Sequence, residues 1–420
     1  MLSGRLVARI LGVDHRLVRV ESVVEEQVGD EVVLVVGVRA RAADQDRCPR
    51  CRRRCARYDL GRWRRWRAVD AGRVKVLVQA RASRVSCPAH GVITAAVPWA
   101  RHRARHTRAF EELAAWCATE MSATAATRLL RCSWRTIGAM VTRVLADLVA
   151  AGGSDGLDRL RRIGIDEVSY RRGHHYLVVV VDHDTRRLVW ARPGRDRASV
   201  EAFFDALGPR AAALTHVTSD AAAWITRPVS ARAPQAVQCA DPFHVIRWAG
   251  EAVNTARRQV WNQVRRPAGR NKPAIGHGRT INTGTWALRK NPEHWTTGQV
   301  AAMAWIEANH PRLHRAWQLK QALRAVFSTG GRLAVDLLDD WLAQARGSDL
   351  PEMHEVARKI TSHREAIDAC LTTGLSNGLT ESVNTKIRLI TRRAYGFRNV
   401  HALIALAQLS LGHHKPVLPT

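Results

Sequence analysis

The sequence predicts a multidomain α+β protein, in which a β-rich N-terminal region, a short helical segment and a mixed α/β domain follow one another. The chain has 420 residues, more than one ordinary domain, and 46% of them are apolar, enough to build hydrophobic cores. Strand-like and helix-like runs alternate between residues 158 and 245, which is typical of an α/β sheet. An almost wholly helical stretch, residues 246–375, then interrupts that pattern.

The chain is strongly basic. It has 66 lysines and arginines against 37 acidic residues, for a formal net charge of +29. This excess indicates a polyanionic partner, and charge alone does not choose between nucleic acid, an anionic membrane and acidic proteins. The longest apolar runs, such as residues 177–181, are far shorter than the roughly 20 residues of a membrane-spanning helix. Nucleic acid is therefore the favoured partner.

Four residues in the β-rich region, residues 1–100, have the spacing of two metal-binding knuckles. Cys48 and Cys51 form a C-x-x-C pair, and Cys87 and His90 form a C-x-x-H pair after a β-like stretch. Two such pairs predict a closed, structural Zn²⁺ site with no open position for catalysis. Cys55 is close enough to compete as a ligand, and buried free thiols are the alternative. Because no signal peptide is evident, we expect reduced cysteines and a cytoplasmic location.

Residues 101–150 predict a helix-turn-helix. Two short helices up to residue 131 and a longer one from Trp134 flank a tight turn at Cys132 and Ser133. In this motif the last helix enters the major groove of DNA, and Ser133 is placed to cap it. A plain three-helix bundle gives a similar pattern and stays the alternative. The candidates for contact with DNA phosphates or bases are Arg135, Thr136 and Arg143.

The α/β segment, residues 158–245, begins with three strand-like runs between residues 162 and 192, which predict an antiparallel meander. A helical run and two further strands follow, and the strands end at Asp220 and Asp241. Asp166 lies inside the first, otherwise apolar strand, where a charged residue needs a reason. Asp220 lies at the carboxyl end of its strand, where α/β sheets bind ligands. If these strands are parallel neighbours, the carboxylates of Asp166 and Asp220 meet.

A helix in the last segment, residues 376–420, supplies a third acid, Glu381. At helical spacing Asn384, Arg388 and Arg392 share its face, whereas a separate apolar stripe packs against the protein. An acid and several bases on one face suit a site where a metal-bound phosphate lies beside positive charge. The apolar stripe consists of Val383, Ile387, Ile390 and Ala394, and the candidate DNA contacts on this helix are Lys386, Arg388 and Arg392.

Other acids of the α/β segment have simpler explanations. Asp182 and Asp184 lie in a predicted hairpin turn, which falls at the opposite end of the sheet from Asp220. Glu167 should point to the other face of the sheet from its neighbour, by strand alternation. Asp241 precedes a proline and is typical of a helix N-cap, with His244 one turn along. Capping and a packed histidine are the structural interpretation of that pair.

Five segments together resemble the transposase family named after the insertion element ISL3, in an apparent match that runs from about Cys48 to the C-terminus. They are IGIDE from residue 163, TSDAAAW from 218, CADPFHV from 239, LRKNPEHWT from 288 and ESVNTKIRLITRRAYGFRN from 381. The resemblance implies an RNase H-like catalytic domain in which a helical insertion separates the second and third acids. The second knuckle departs from the family, because it ends in His90 where cysteine is usual.

By this resemblance, Asp166, Asp220 and Glu381 are the catalytic residues and bind Mg²⁺ or Mn²⁺. Carboxylates that converge on such cations activate the attacking oxygen and stabilise the leaving one in phosphodiester chemistry. The resemblance also gives Asp241 and His244 a second interpretation, in which they support the site or orient a phosphate, as does Asn384. The sequence does not choose between this interpretation of Asp241 and His244 and the structural one, in which they cap and pack a helix.

The resemblance implies an enzyme that binds the terminal inverted repeats of an insertion sequence, cleaves a strand at each end and joins the freed 3′-hydroxyl to target DNA. Its partners are then transposon-end DNA, target DNA and further copies of the chain in a dimer or larger assembly. Two alternatives remain, a non-catalytic zinc and helix-turn-helix regulator and an RNase H-like nuclease without strand transfer. The tryptophans of the helical insertion either fill its core or stack on an unpaired base.

Overall fold

The computed structural model describes residues 3–152, 155–220, 222–265 and 284–418. The chain forms two compact units, of which the first comprises Met1–Gly156 with Leu389–Thr420 and the second comprises Leu157–Arg388. No helix among the described residues is long and apolar enough to cross a membrane.

A five-stranded sheet builds the N-terminal part of the first unit, as the alternating pattern predicts. The strands run in the order β1-β2-β4-β3, and β5 pairs with β4. Trp66 and Trp99 pack edge to face, with ring centroids 5.5 Å apart, in the core beneath this sheet. The elements are α1 (Gly4–Ile10), β1 (Val18–Val28), β2 (Glu31–Ala40), β3 (Ala56–Arg67), β4 (Lys75–Cys87) and β5 (Gly91–Thr94).

Three helices follow with the lengths that the sequence predicts: α2 (Arg108–Glu120), α3 (Ala123–Leu130) and α4 (Trp134–Gly152). The Ser133 hydroxyl accepts a hydrogen bond from the Thr136 N–H at 3.2 Å and so caps α4, as expected. The last helix, which we number α14 (Val400–Leu411), packs on this trio. From the sequence we grouped α14 with the catalytic segment. Helix α14 is apolar around most of its circumference, so it needs burial on several sides.

The second unit contains a five-stranded sheet in the order β10-β9-β6-β7-β8. Strands β6, β7 and β8 form the predicted antiparallel meander, and β9 and β10 run parallel to β6. This arrangement is the RNase H-like fold that was expected. The elements are β6 (Arg162–Arg171), β7 (His175–Asp182), β8 (Arg187–Pro193), α5 (Arg197–Leu207), β9 (His216–Ser219), α6 (Ala223–Arg232) and β10 (Val237–Ala240).

Helices dominate the described residues from 242 to 388. Three of them begin with proline, at Pro242, Pro311 and Pro351, where the missing N–H costs nothing. A core of alanine, leucine and Trp341 joins most of them. The helices are α7 (Pro242–Arg265), α8 (Thr297–Asn309), α9 (Pro311–Thr329), α10 (Gly331–Arg346), α11 (Pro351–Ser362), α12 (Arg364–Thr373) and α13 (Gly378–Arg393), with a helical turn at 284–289.

Candidate metal centre and active site

The four knuckle residues of the first unit form a closed cluster. Their ligand atoms all lie within 4.8 Å of one another, with Cys51 Sγ 3.7 Å from Cys87 Sγ and His90 Nδ1 3.5 Å from Cys87 Sγ and 3.6 Å from Cys48 Sγ. A tetrahedral Zn²⁺ ion, with its usual bond lengths, spaces two sulfurs about 3.8 Å apart and a sulfur and a nitrogen about 3.6 Å apart. The cluster therefore has the dimensions of a structural zinc site.

The sheet supplies these ligands in a form that suits zinc. The backbone N–H of Cys51 lowers the pKa of the Cys48 thiol to about 6, against the opposing effect of burial, so that the metal-binding thiolate is readily formed. Cys55, the alternative ligand, lies outside the cluster, and its thiol contacts the carbonyl oxygen of Arg53 at 3.5 Å. The position of Cys55 therefore excludes it from the set of zinc-ligand candidates.

In the second unit, three aspartates align across neighbouring parallel strands. Ile165 of β6 pairs with Ser219 of β9, which in turn pairs with Ala240 of β10. The residue after each of these is an aspartate, so the register places Asp166, Asp220 and Asp241 side by side. The assumption that the strands of Asp166 and Asp220 are parallel neighbours is confirmed.

Within the described residues, no cation forms an ion pair with Asp166. Burial and the charges of Glu167, Glu381 and Asp220 together raise its pKa to about 7, whereas a hydrogen bond of 2.8 Å from the Glu167 N–H opposes the shift. Glu381 and Asp220 are thus close enough to repel its charge. Among the described residues, however, only the Cys/His cluster has three or more ligand atoms within 4.8 Å of one another. The carboxylates of Asp166, Asp220 and Glu381 therefore lie near one another, but their oxygen atoms are farther apart than the ligand atoms of the Cys/His cluster.

Helix α13 contacts strand β6 through two buried polar side chains. Asn384 donates from Nδ2 to Asp166 Oδ2 at 2.9 Å and to the Glu167 carbonyl oxygen at 3.3 Å. Within the described residues, neither its buried Oδ1 nor the Thr380 hydroxyl has a hydrogen-bond partner. Such orphaned acceptors beside a carboxylate fit a site completed by a cation and its waters.

The close approach of α13 depends on Gly164, which sequence analysis missed. A Cβ on Gly164 would lie 2.2 Å from Thr380 Oγ1 and 3.0 Å from Thr218 Oγ1, so any side chain would displace the helix. The available signal was a glycine inside an apolar strand, which often marks a close backbone approach. Asn377 was also missed. It is buried, and its Oδ1 accepts from the Thr218 hydroxyl at 3.4 Å.

His244 connects two of the aligned aspartates. Its Nδ1 lies 2.8 Å from Asp241 Oδ2, and its Nε2 lies 3.5 Å from Asp220 Oδ2. The contact with Asp241, followed by the charge of Asp220, raises the pKa of His244. Asp241 also caps α7, because its Oδ1 accepts from the Phe243 N–H at 3.3 Å. The pair therefore caps α7, as the structural interpretation predicts, and also contacts Asp220.

The rival acids have structural partners, as expected. Asp182 accepts hydrogen bonds from the N–H groups of Asp184 and Thr185 in the β7–β8 turn. Asp184 pairs with Arg162 at the start of β6, the end of that strand opposite to Asp220. Glu167 pairs with Arg195 at 2.9 Å.

The candidate DNA contacts are placed in different surroundings. Lys386, Arg388, Arg392 and Arg135 are exposed, and within the described residues none of these side chains has an ion pair. The prediction for Arg143 needs correction, because its guanidinium lies 3.0 Å from the buried carboxylate of Glu111, which also pairs with Arg101. A buried acid requires these partners, so Arg143 stabilises the helical bundle. The Thr136 hydroxyl is 2.8 Å from Ser133 and belongs to the helix cap.

Comparison with known proteins adds three family matches. A family model described as "Transposase" matches residues 163–407. A "Helix-turn-helix domain of transposase family ISL3" matches residues 95–145, and a "zinc-finger of transposase IS204/IS1001/IS1096/IS1165" matches residues 44–90. The last match covers the four zinc-ligand candidates.

Relatives match over most of their lengths. A transposase for insertion sequence element IS1557 of Mycobacterium tuberculosis is 49% identical over 100% of this chain and 98% of its own. A transposase for IS1001 of Bordetella parapertussis is 27% identical over 84% of this chain and 85% of its own. Among solved structures, the Drosophila P element transposase strand transfer complex is 11% identical, with a TM-score of 0.38 over 73% of this chain and 92% of that one.

Proposed function

The chain belongs to the ISL3 family of transposases, and from this premise we propose that Asp166, Asp220 and Glu381 bind the divalent cations with which it cleaves and joins DNA. One observation carries the proposal. The strand register aligns Asp166 with Asp220, and Asn384 ties the helix of Glu381 to the Asp166 carboxylate at 2.9 Å. Within the described residues, Asp166 and Glu381 have no ion pair and Asp220 contacts only His244, whereas Glu167 and Asp184 each pair with an arginine.

Mg²⁺ or Mn²⁺, when bound, activates the attacking oxygen and stabilises the leaving oxygen. Asn384 holds the Asp166 carboxylate in place, and His244 does the same for Asp220 while Asp241 fixes its ring. The exposed cations Lys386 and Arg388 bind the DNA phosphates beside Glu381.

The reaction proceeds in two transfers at phosphorus. Water first hydrolyses a phosphodiester at each transposon end, so that the P–O3′ bond breaks and a 3′-hydroxyl is released. That hydroxyl then attacks a phosphodiester of target DNA, forms a new P–O bond and displaces a target 3′-oxygen, which takes up the proton. Each step exchanges one P–O bond for another, so no energy source is needed beyond binding.

The first unit supplies recognition of DNA in this proposal. The zinc module and the helix-turn-helix read the terminal inverted repeats, with the exposed Arg135 of α4 as one contact. Because two ends have to be joined, we expect a dimer or larger assembly that works in the cytoplasm on chromosomal DNA.

The test compares Asp166→Asn with Asp184→Asn, a control in the β7–β8 turn. Both proteins should bind labelled end DNA normally when no Mg²⁺ is added, whereas only Asp166→Asn should lose Mg²⁺-dependent nicking, by about 10³-fold or more. Unchanged nicking by Asp166→Asn would refute the assignment. Pre-cleaved ends offered to the wild-type protein should yield strand-transfer products, and their absence would leave a nuclease without joining activity.

A further inference from the structure

A groove of about 350 Å³ lies along helix α7, and none of the steps above uses it. Phe243, Arg247, Gly250, Asn254 and Arg257 line it. They recur at intervals of three or four residues and therefore share one face of the helix. From Phe243 to Arg257 that face extends about 21 Å at the helical rise per residue.

The groove combines an apolar floor with a positively charged rim. The cations Arg247, Arg257 and Arg289 line it, against a single acid, Glu251, whose carboxylate lies 3.6 Å from Arg247. Lys320 also lines it but is buried and donates to the Leu288 carbonyl oxygen at 2.9 Å. Within the described residues, Arg257 is bonded only to the Asn254 side chain, at 3.0 and 3.1 Å. Ile246, Val253 and Leu288 form the apolar part of the lining. A ligand that fits this surface has both an apolar face and negative charge.

Glycine at position 250 keeps the groove open. A Cβ there would meet no atom within 4 Å, and the residue has no left-handed backbone angle, so neither packing nor conformation requires glycine. In a helix interior glycine costs about 1 kcal/mol relative to alanine. Its one evident effect is the free volume of the groove, which a larger side chain would fill.

One end of the groove lies at the proposed active site. The Phe243 side chain is 59% exposed, and its ring centroid is 5.9 Å from that of His244. His244 in turn contacts Asp220. The aromatic end of the groove is therefore one side chain away from a proposed metal ligand, and the cationic residues lead away from it along α7.

We propose that this groove binds unpaired, single-stranded DNA next to the phosphate that reacts, with a base against Phe243 and phosphates along Arg247, Arg257 and Arg289. Aromatic stacking with a cationic track is how proteins bind single strands without reading their sequence. The volume of about 350 Å³ is within the range of pockets that hold one small ligand, which suits a single base with its sugar better than a base pair. The inference rests on the proposed function, because it takes the reacting strand as the ligand.

The test fills the groove through Gly250→Leu, a change that favours the helix and should therefore leave folding intact. Gly298→Leu is the matched control, because Gly298 also lies in a helix with nothing within 4 Å of its Cβ position. Fluorescence anisotropy without added Mg²⁺ measures affinity for a labelled oligothymidine and for end duplex. Gly250→Leu should bind the oligothymidine about tenfold more weakly and the duplex normally, and Gly298→Leu should bind both normally.

A second pair of variants tests stacking. Phe243→Ala should also lose about tenfold in oligothymidine affinity, whereas Phe243→Trp should keep or improve it. Wild-type affinity in Gly250→Leu, or an equal loss for duplex and single strand, would overturn the inference. Because no catalysis is measured, failure of these experiments leaves the Asp166→Asn nicking test unaffected, and a failure of nicking leaves this binding test intact.

Discussion

The Cys/His cluster and the acid site differ in how completely the protein builds them. The four zinc-ligand candidates belong to one sheet and its turns, and their atoms already lie within 4.8 Å of one another. The acids Asp166, Asp220 and Glu381 come from two strands and a distant helix, and burial and mutual repulsion raise the pKa of Asp166 to about 7. The first site is complete without a substrate, whereas the second contains charge that its own side chains do not neutralise.

On the proposed assignment, this difference separates a metal that stabilises the fold from one that serves the reaction. Binding energy at a preformed cysteine site is folding energy. At the acid site the fold instead tolerates repulsion, which cations that arrive with DNA would relieve.

Removal of zinc should unfold the N-terminal module. A structural zinc site contributes on the order of 10 kcal/mol, so a strong chelator or Cys48→Ser should make residues 44–90 sensitive to limited proteolysis. Cys55→Ser, the control, should stay resistant because that thiol lies outside the cluster. A module that stays protease-resistant after verified zinc loss would contradict a structural role.

Loss of His244 should weaken the acid site without unfolding it. Residues that orient metal ligands typically contribute 10- to 100-fold in metal affinity or activity. His244→Gln should therefore raise the Mg²⁺ concentration for half-maximal nicking about tenfold, with the rate restored at high Mg²⁺. His354→Gln, at an exposed position of α11, should change neither value. An unaltered Mg²⁺ dependence with a lower maximal rate would indicate a different role.

Asp166→Asn should stabilise the Mg²⁺-free protein at high pH. The folded pKa of Asp166, about 7, lies above the unfolded value, so ionisation costs stability as pH rises through about 7. The gain of the variant should be near zero below about pH 4 and reach about 1–2 kcal/mol above pH 7, discounted for partial solvent exposure. Thermal melts of the zinc-loaded protein without added Mg²⁺ measure it. A gain that is equal at all pH values would contradict the electrostatic explanation.

The smallest effect concerns the DNA-binding unit, which should respond to monovalent salt rather than to divalent metal. Arg135→Ala should lower the slope of log affinity against log salt for end DNA by about one, the loss of one phosphate contact. Arg143→Ala should leave that slope unchanged and lower the melting temperature, because Arg143 pairs with buried Glu111. Exchanged outcomes would restore Arg143 as a DNA contact.

The local sequence pattern predicted the strands and helices better than it predicted the contacts between distant side chains. Apolar alternation and turn residues were enough to predict β6 to β10, but the parallel pairing of the strands of Asp166 and Asp220 was an assumption, which the structure confirms. The contact of His244 with Asp220 and the need for Gly164 beneath Thr380 depend on atoms far apart in sequence. The same limit explains the wrong prediction for Arg143. The spacing of residues along α4 does not show that an acid on another helix, Glu111, pairs with it. Long-range pairing is a property of the packed structure.

Replacement of the Asp166 carboxylate by a thiol tests whether Asp166 binds the metal ion. Asp166→Cys replaces an oxygen ligand with sulfur, which Mg²⁺ binds poorly and softer cations bind better. If Asp166 is a metal ligand, this variant should bind end DNA but not nick it in Mg²⁺, and nicking should return in Mn²⁺ or Cd²⁺. Asp184→Cys should show no such switch. Equal activity of Asp166→Cys in all these metals, or equal inactivity with DNA binding intact, would contradict metal ligation by Asp166.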